Sequence, residues 1–164
     1  MRVVVPRLLG EEHLGGKEGK GVKPVVVHGD LWRGNYGRGY IFGGGQDEEE
    51  GHEDGDKEDG HDEGEEDEDE EVAIEQDLIF DPSSTYAHSE YELGIMRMFG
   101  GFPASFMAEY HALVPKTEPA AEYDDRVDLY MAYHQLNHWA IFGGGYRDEA
   151  IRGLGRLVRR YSGG

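Results

Sequence analysis

A short polar cluster follows three consecutive valines near the start of the chain. His28-Gly29-Asp30 comes directly after Val25–Val27, and Asn35 lies five residues beyond Asp30. Three β-branched residues favour a short buried strand, and side chains that carry out chemistry often lie where the chain leaves such an element. The spacing places Asp30 and Asn35 in one loop and not on one face of a helix. We therefore expect this loop to form part of a functional site.

A second isolated acid follows another apolar stretch. Asp81 comes after Leu78-Ile79-Phe80, and Pro82 prevents that predicted strand from continuing. An Asp that can accept a hydroxyl proton, with an Asn and a second Asp that can hold magnesium, is the residue set of a kinase active site. Magnesium prefers few protein carboxylates together with phosphate oxygens. The set predicts phosphoryl transfer assisted by magnesium, and the alternative is an ordinary polar turn after each strand.

Length and composition limit the remaining possibilities. The chain has 164 residues, enough for one domain with a sizeable core, and no cysteine, which excludes disulfides and thiolate metal sites. No apolar run approaches the roughly 18 residues of a membrane span, and Met1–Leu9 is too short and too interrupted to be a signal peptide. We expect a soluble, intracellular and cytoplasmic protein with no membrane partner.

The acidic charge is concentrated in one segment. The formal net charge is −19, and the stretch from Asp47 to Glu71 contains eighteen acidic residues and one lysine. Residues 46–71 include no aromatic or β-branched side chain to bury, so we expect a disordered acidic insert within a single domain over 1–164. Its spacing does not match a calcium loop. The acidic balance also argues against a nucleic-acid partner.

The patterns around the polar cluster predict short strands first and helices afterwards, an α+β arrangement. A capping box is predicted at Ser89 and Glu92, Gly100-Gly101 ends the helix that it begins, and Gly10–Gly21 is predicted to be a loop. We expect the aromatic and methionine residues of the later helices to be core. The predicted strands are Val25–Val27, Tyr40–Phe42 and Val72–Phe80, and the predicted helices are Ser89–Met98, Ala104–Val114, Tyr123–Phe142 and Arg147–Tyr161.

The stretch His28-Gly29-Asp30-Leu31-Trp32-Arg33-Gly34-Asn35 resembles the catalytic loop of the fructosamine kinase (ketosamine-3-kinase, protein-ribulosamine 3-kinase) family, within the aminoglycoside-phosphotransferase-like kinases. Trp32 and the Tyr-x-His-x-Glu-Tyr pattern that begins at Tyr86 make the resemblance specific, and it covers almost the whole chain apart from the acidic insert. The other segments in family order are Val4–Leu9, Ile79–Pro82, Tyr86–Leu93, Tyr110-His111 and Asn137-His138.

The resemblance implies ATP-dependent phosphorylation of the 3-hydroxyl of a ketosamine, either a small ribulosamine or fructosamine or the same adduct on protein lysines, which promotes deglycation. It implies Asp30 as the catalytic base, and Asn35 and Asp81 as ligands of the Mg²⁺ that accompanies the nucleotide. Trp32 and Glu90 are the predicted substrate residues. The alternatives are that Trp32 belongs to the core and that Glu90 is a satisfied polar group within the helices.

The resemblance also implies the C-terminal, mainly helical lobe of a protein-kinase-like, aminoglycoside-phosphotransferase-like fold. No lobe with a nucleotide-binding strand lysine fits before residue 25, and no Gly-x-x-x-x-Gly-Lys loop is present. We therefore expect a truncated lobe without its N-terminal partner lobe. The alternatives are a catalytically inactive binding module and an incomplete gene model, and the sequence predicts neither the oligomeric state nor the preferred ketosamine.

Overall fold

The computed structural model describes residues 2–14, 21–42 and 73–162. The predicted acidic insert 46–71 lies outside these residues, so its predicted disorder stays a prediction. The elements, in chain order, are α1 (Val4–Leu9), β1 (Val25–Val27), a short 3-10 helix (Arg33–Asn35), β2 (Tyr36–Phe42), β3 (Ala73–Ile79), β4 (Thr85–Ala87), α2 (Ser89–Phe99), α3 (Ala104–Leu113), a second 3-10 helix (Ala120–Glu122), α4 (Tyr123–Phe142) and α5 (Tyr146–Tyr161).

The chain divides into two compact units, 37–78 and the remainder. In the smaller unit, β2 and β3 form a two-stranded sheet, and Arg38 Nε lies 3.3 Å from Asp77 Oδ1. A Leu78 methyl group packs directly against Gly39, because it lies 2.6 Å from the position that a Cβ of residue 39 would take. The predicted strand at 40–42 therefore exists but begins earlier, at Tyr36. The prediction of one lobe over 1–164 stays a prediction.

In the larger unit, β1 pairs antiparallel with β4, with Val26 opposite Tyr86. The sequence analysis missed β4, which is only three residues long. The prediction of a buried β1 is wrong for two of its three valines, because Val27 is 7% exposed whereas Val26 is 64% exposed. Alternation along a strand turns Val26 to the face opposite Val27, whereas Val25 shares the face of Val27 and is still 41% exposed. A run of valines shows neither how many faces of the strand are covered nor how far the cover extends.

The helices supply two clusters of buried apolar side chains. One cluster joins α1, α4 and α5, and the other joins α2 to the start of α4. Gly94 allows α2 and α4 to approach closely, because a Cβ at this position would lie 2.8 Å from Met131 N. The first cluster contains Val4, Leu8, Leu129 and Leu157, and the second contains Leu93, Met96, Tyr123 and Val127.

The predicted helices are confirmed, but the predicted core is partly wrong. Helix α3 has no buried residue, and its Leu113 is 84% exposed. The buried residues of α4 all lie between Tyr123 and Gln135, whereas Trp139 and Phe142 near its end are exposed. Helical spacing shows which side chains share a face, and only the neighbouring elements decide whether that face is covered.

The combination of short strands and a helical C-terminal half confirms the α+β prediction. The predicted absence of an N-terminal lobe stays a prediction. None of the helices in the described ranges combines the length and the hydropathy needed to cross a bilayer.

Candidate active site

The loop after β1 brings Asp30 and Asn35 together. The Asn35 side-chain amide Nδ2 donates to the Asp30 backbone carbonyl at 2.9 Å and to the Asp30 carboxylate Oδ2 at 3.2 Å. Asn35 is 6% exposed and ends the short 3-10 helix, where its own N–H donates to the Trp32 carbonyl. Because the amide nitrogen serves both bonds to Asp30, the side-chain oxygen of Asn35 is the atom left to coordinate a cation.

The carboxylate of Glu92 fixes the backbone of this loop by hydrogen bonds. It lies on the first turn of α2, is 7% exposed, and accepts hydrogen bonds from the backbone N–H groups of Gly29 at 2.7 Å and Leu31 at 2.9 Å. These are the two residues that flank Asp30, so one buried carboxylate fixes the backbone on both sides of the predicted base. Bonds of this kind are stronger than neutral ones.

The local spacing of Ser89 and Glu92 predicted a capping box and gave no indication of this role. That prediction is wrong, because the residue at the N-cap of α2 is His88 and no side chain caps the helix. A buried acid on the apolar face of a predicted helix was the available signal, because such a charge requires partners. The partners lie 61 and 63 residues away in the chain, which local spacing does not reveal.

Two hydrogen bonds to Phe80 tie the Asp81 segment to the same loop. The His28 ring donates from Nε2 to the Phe80 carbonyl at 2.9 Å, and the Phe80 N–H donates to the Asn35 carbonyl at 3.1 Å. His28 Nδ1 accepts from the Asp30 N–H at 3.3 Å, which is consistent with a neutral ring that carries its proton on Nε2. His28 therefore has a structural role, because its ring holds the Asp30 loop to the Phe80 segment.

Asp81 adopts a backbone conformation that side chains rarely take. Its φ is 56°, the one positive value among the described non-glycine residues. Asp tolerates this left-handed region better than most residues do, at a cost on the order of 1 kcal/mol. The residue is exposed and follows Phe80, which is held by its two bonds to the loop. The chain thus bears backbone strain at the predicted metal ligand.

A close backbone contact makes Gly29 necessary. Its φ is 83°, and a Cβ at this position would lie 2.1 Å from the Ser83 carbonyl oxygen. Glycine accepts this φ without strain, and the missing side chain lets the segment after Asp81 approach the Asp30 loop. The two segments that carry the predicted site residues therefore pack directly against each other.

The donor set fits magnesium better than a metal bound by protein alone. Among the described residues, no three His, Cys, Asp or Glu side chains converge on a single point. The predicted ligands are one amide oxygen, from Asn35, and one carboxylate, from Asp81. A Mg²⁺ ion held by so few protein groups takes its other ligands from phosphate and water.

A polar cleft of about 520 Å³ opens beside Asp30. Ser83, Ser84 and Asn137 line it, and none of the lysines and arginines that the structure describes does so. Hydroxyl and amide groups of this kind suit a neutral polyol, because they can both donate and accept hydrogen bonds.

Side chains of α4, among them those of His134 and His138, line one side of the cleft. His138 Nδ1 donates to the His134 carbonyl at 2.9 Å, and the His134 ring donates from Nε2 to the Tyr91 carbonyl at 3.2 Å. Burial lowers the pKa of His134 below its usual value, so its ring stays neutral. Burial, together with the neighbouring Tyr133, raises the pKa of Tyr91 to about 12.

The two predicted substrate residues lie outside the lining of this cleft. The Trp32 ring packs on Phe99, with ring centroids 5.0 Å apart, and it covers Gly34. Glu90 is 2% exposed, and its carboxylate forms a buried pair with Arg126, at 2.6 and 2.9 Å. Glu90 is therefore buried and paired, whereas Trp32 is partly exposed, and their predicted roles toward substrate stay predictions.

Comparisons with known proteins identify the family of this chain. The family model for fructosamine kinase matches residues 8–160. The chain is 38% identical to the ketosamine-3-kinase of Mus musculus over 84% of this chain and 33% of the relative. It is 34% identical to a probable ketoamine kinase of Synechocystis over 96% of this chain and 39% of the relative. The chloroplastic protein-ribulosamine 3-kinase of Arabidopsis thaliana is 32% identical over 79% of this chain and 28% of the relative.

The chain spans about a third of the length of the curated relatives that it matches. The matched region nevertheless includes the Asp30 loop, the Asp81 segment and all the helices from α2 to α4, and the family model covers nearly all of the chain. The resemblance inferred from the catalytic-loop residues is therefore confirmed, and this chain belongs to the fructosamine kinase family.

Proposed function

We propose that this chain carries the phosphoryl-acceptor side of a kinase that uses ATP to phosphorylate the 3-hydroxyl of ketosamines. The observation that carries the proposal is the Asp30–Asn35 contact in a loop whose backbone is fixed by Glu92. Positioning of this kind supplies most of the catalysis in phosphoryl transfer, because the protein itself makes few covalent bonds. The relatives named as ketosamine and ribulosamine 3-kinases support the reaction class.

Asp30 is the proposed catalytic base. The donated bond from Asn35 Nδ2 to Oδ2 orients the carboxylate, and Asp30 lines the polar cleft. A sugar hydroxyl in this cleft would donate to the Asp30 carboxylate, which would take its proton as the oxygen bonds to the terminal phosphorus of ATP and the bond from that phosphorus to ADP breaks. The Asn35 side-chain oxygen and the Asp81 carboxylate would hold the Mg²⁺, which would neutralise charge on the phosphates.

The proposed acceptor is a ribulosamine or fructosamine, free or on a protein lysine. The cleft has hydroxyl and amide groups for a polyol, and it is open enough for an adduct that remains attached to its carrier. Phosphorylation at the 3-hydroxyl makes such an adduct labile, so the proposed outcome is deglycation. In fold terms, we propose that 1–164 forms the mainly helical C-terminal lobe of a kinase-like architecture.

Phosphate transfer from Mg²⁺-ATP to the ribulosamine of N-acetyl-lysine, measured by mass spectrometry, tests this function. In a chain completed with a nucleotide-binding lobe, we expect the wild-type sequence to form the phosphoadduct and Asp30→Asn to lower the rate by at least about a hundredfold, since general base catalysis contributes about 10²–10⁴-fold. Asp148→Asn is the matched control, because Asp148 is an exposed residue of α5 and outside the cleft. Equal rates for Asp30→Asn and the wild type would contradict the role of Asp30.

A second candidate function is adduct binding without turnover. It is favoured by the polar cleft, whose hydroxyl and amide groups can bind a polyol whether or not a phosphate is transferred. Titration of the same ribulosamine by calorimetry, with and without Mg²⁺-ATP, distinguishes the two. Adduct binding together with neither ATP binding nor phosphoadduct formation would favour a binding module over a kinase for this chain.

A further inference from the structure

A pocket between α2, α3 and α4 lies apart from the polar cleft. It encloses about 360 Å³, within the range of about 300–1,000 Å³ typical of small-molecule sites, and it shares no lining residue with the cleft. Helix α3 has no fully buried side chain, although its Met107 and Tyr110 pack against the second apolar cluster, and the pocket lies where α3 faces the packed pair α2 and α4. Its apolar surface comes from Leu93, Met96, Phe102, Met107 and Val127.

The two basic side chains that line this pocket, Arg97 and Lys116, differ in whether a carboxylate neutralises their charge. Arg97 donates to Asp124 at 2.7 Å and to Asp128 at 2.9 Å, so two carboxylates neutralise it. Lys116 lies over the Tyr123 ring, with Nζ 4.2 Å from the ring centroid. In the described part of the chain, no ion pair includes Lys116. Among the described residues, Lys116 is therefore the basic group at this pocket whose charge has no carboxylate partner, and it lies beside an apolar surface.

The loop that bears Lys116 is held firmly by the buried pair Glu90 and Arg126. The next residue, Thr117, donates its N–H to Glu90 Oε1 at 2.9 Å, and its carbonyl accepts from Arg126 at 2.5 Å. The Thr117 hydroxyl also bonds the ring of His88 at 2.7 Å. A lysine on an anchored backbone loses less entropy when it binds a ligand, which favours affinity.

The other polar groups at the pocket are already engaged. The His111 ring lies 3.2 Å from the Val114 carbonyl through Nδ1, so Nδ1 is the donor. Its Nε2 then accepts from the Tyr123 hydroxyl at 2.9 Å. Lys116 is consequently the group that remains to meet a polar or charged part of a ligand.

We propose that this pocket binds a small organic anion with an apolar body, a medium-chain or aromatic carboxylate. The apolar body would lie against Met96 and Met107, and the carboxylate would pair with Lys116. Burial of the body supplies affinity in proportion to its apolar area, and the lysine selects an anionic head group over a neutral or cationic one. The proposal is independent of the kinase function, because the two sites share no residue.

Methionine methyl groups report on this pocket directly. Met96 and Met107 line it, whereas Met98 and Met131 do not. We expect octanoate, titrated into the full chain labelled with ¹³C at the methionine methyl groups, to shift the NMR signals of Met96 and Met107 in a saturable way. The signals of Met98 and Met131 should stay in place. Octyltrimethylammonium, which has the same apolar body and the opposite charge, should bind more weakly.

Two variants of Lys116 test the origin of the selectivity. Lys116→Gln should weaken octanoate binding about tenfold, the loss of roughly one charge-assisted hydrogen bond, and Lys116→Glu should reverse the preference between the two probes. Arg152→Gln, which removes an exposed charge of α5, should leave octanoate binding unchanged. The proposed site is refuted if octanoate fails to shift the NMR signals of Met96 and Met107, or if Lys116→Gln binds octanoate with the same affinity as the wild type. The methionine spectrum of each variant shows directly whether it is folded.

Discussion

Replacement of Glu92 by glutamine is the most informative perturbation of the candidate active site. The carboxylate of Glu92 accepts both backbone N–H groups that flank Asp30, from Gly29 and Leu31. Glutamine has nearly the same shape, but its side chain offers one acceptor oxygen and one donor nitrogen. One of the two N–H groups therefore keeps a partner, and the other faces a second donor.

The magnitude follows from these two bonds. A hydrogen bond to a charged group contributes about 1.5–3 kcal/mol, and the carboxylate is nearly fully buried. We expect Glu92→Gln to lower the free energy of unfolding by about 1.5–3 kcal/mol, because one such bond is lost. Glu92→Ala removes both partners and should cost about 3–6 kcal/mol by the same reasoning.

Urea unfolding followed by tryptophan fluorescence measures this loss, because Trp32 lies in the affected loop. Amide hydrogen exchange then locates it, and the protection of the Gly29 and Leu31 amides should fall more than that of amides in α5. Glu109→Gln, an exposed change on α3, should alter the stability by less than about 0.5 kcal/mol. If Glu92→Gln unfolds at the wild-type urea concentration and both loop amides keep their protection, the proposed bracing is refuted.

Three further predictions concern backbone geometry, the buried ion pair and pH. Gly29→Ala should destabilise the chain by more than about 2 kcal/mol in urea unfolding, because the added Cβ would clash with the Ser83 carbonyl oxygen. Gly100→Ala is the control: Gly100 also has a positive φ but has open space around it, so this change should cost only about 1 kcal/mol. Equal losses of stability in the two variants would exclude the clash with Ser83 as the cause. Arg126→Met should lower the free energy of unfolding by about 3–5 kcal/mol in the same assay, because it leaves the Glu90 carboxylate buried without its partner. Adding Glu90→Leu should restore part of that stability. A double variant less stable than Arg126→Met would contradict the buried-charge explanation. Burial lowers the pKa of His134, so the unfolded chain binds a proton at this residue more readily than the folded chain does. Thermal unfolding should therefore show that the stability contribution of His134 is complete above about pH 6.5 and falls as the pH decreases below that value. The loss of stability at low pH should be smaller in His134→Gln, and an identical pH profile for the variant and the wild type would refute the assignment.

The local patterns of the sequence predicted the secondary structure well and the burial less well. The bounds of α4 agree with the prediction, because Pro119 and Gly143 lie just outside a continuous helical pattern. In contrast, Leu113 on α3 is exposed despite its apolar type. The free energy of burial depends on a neighbouring surface that covers the side chain, and no neighbour is specified by the spacing within α3.

The same distinction holds for the site. The sequence by itself determined that Asp30 and Asn35 could meet, because five residues of loop span a short distance, and it identified the family through the residues around Trp32. Only the tertiary structure decided that Glu92 fixes the Asp30 loop, that Phe80 ties the Asp81 segment to it, and that α4 closes one side of the cleft. These contacts join residues more than forty positions apart, and they form only when the packing of the helices brings those distant segments together.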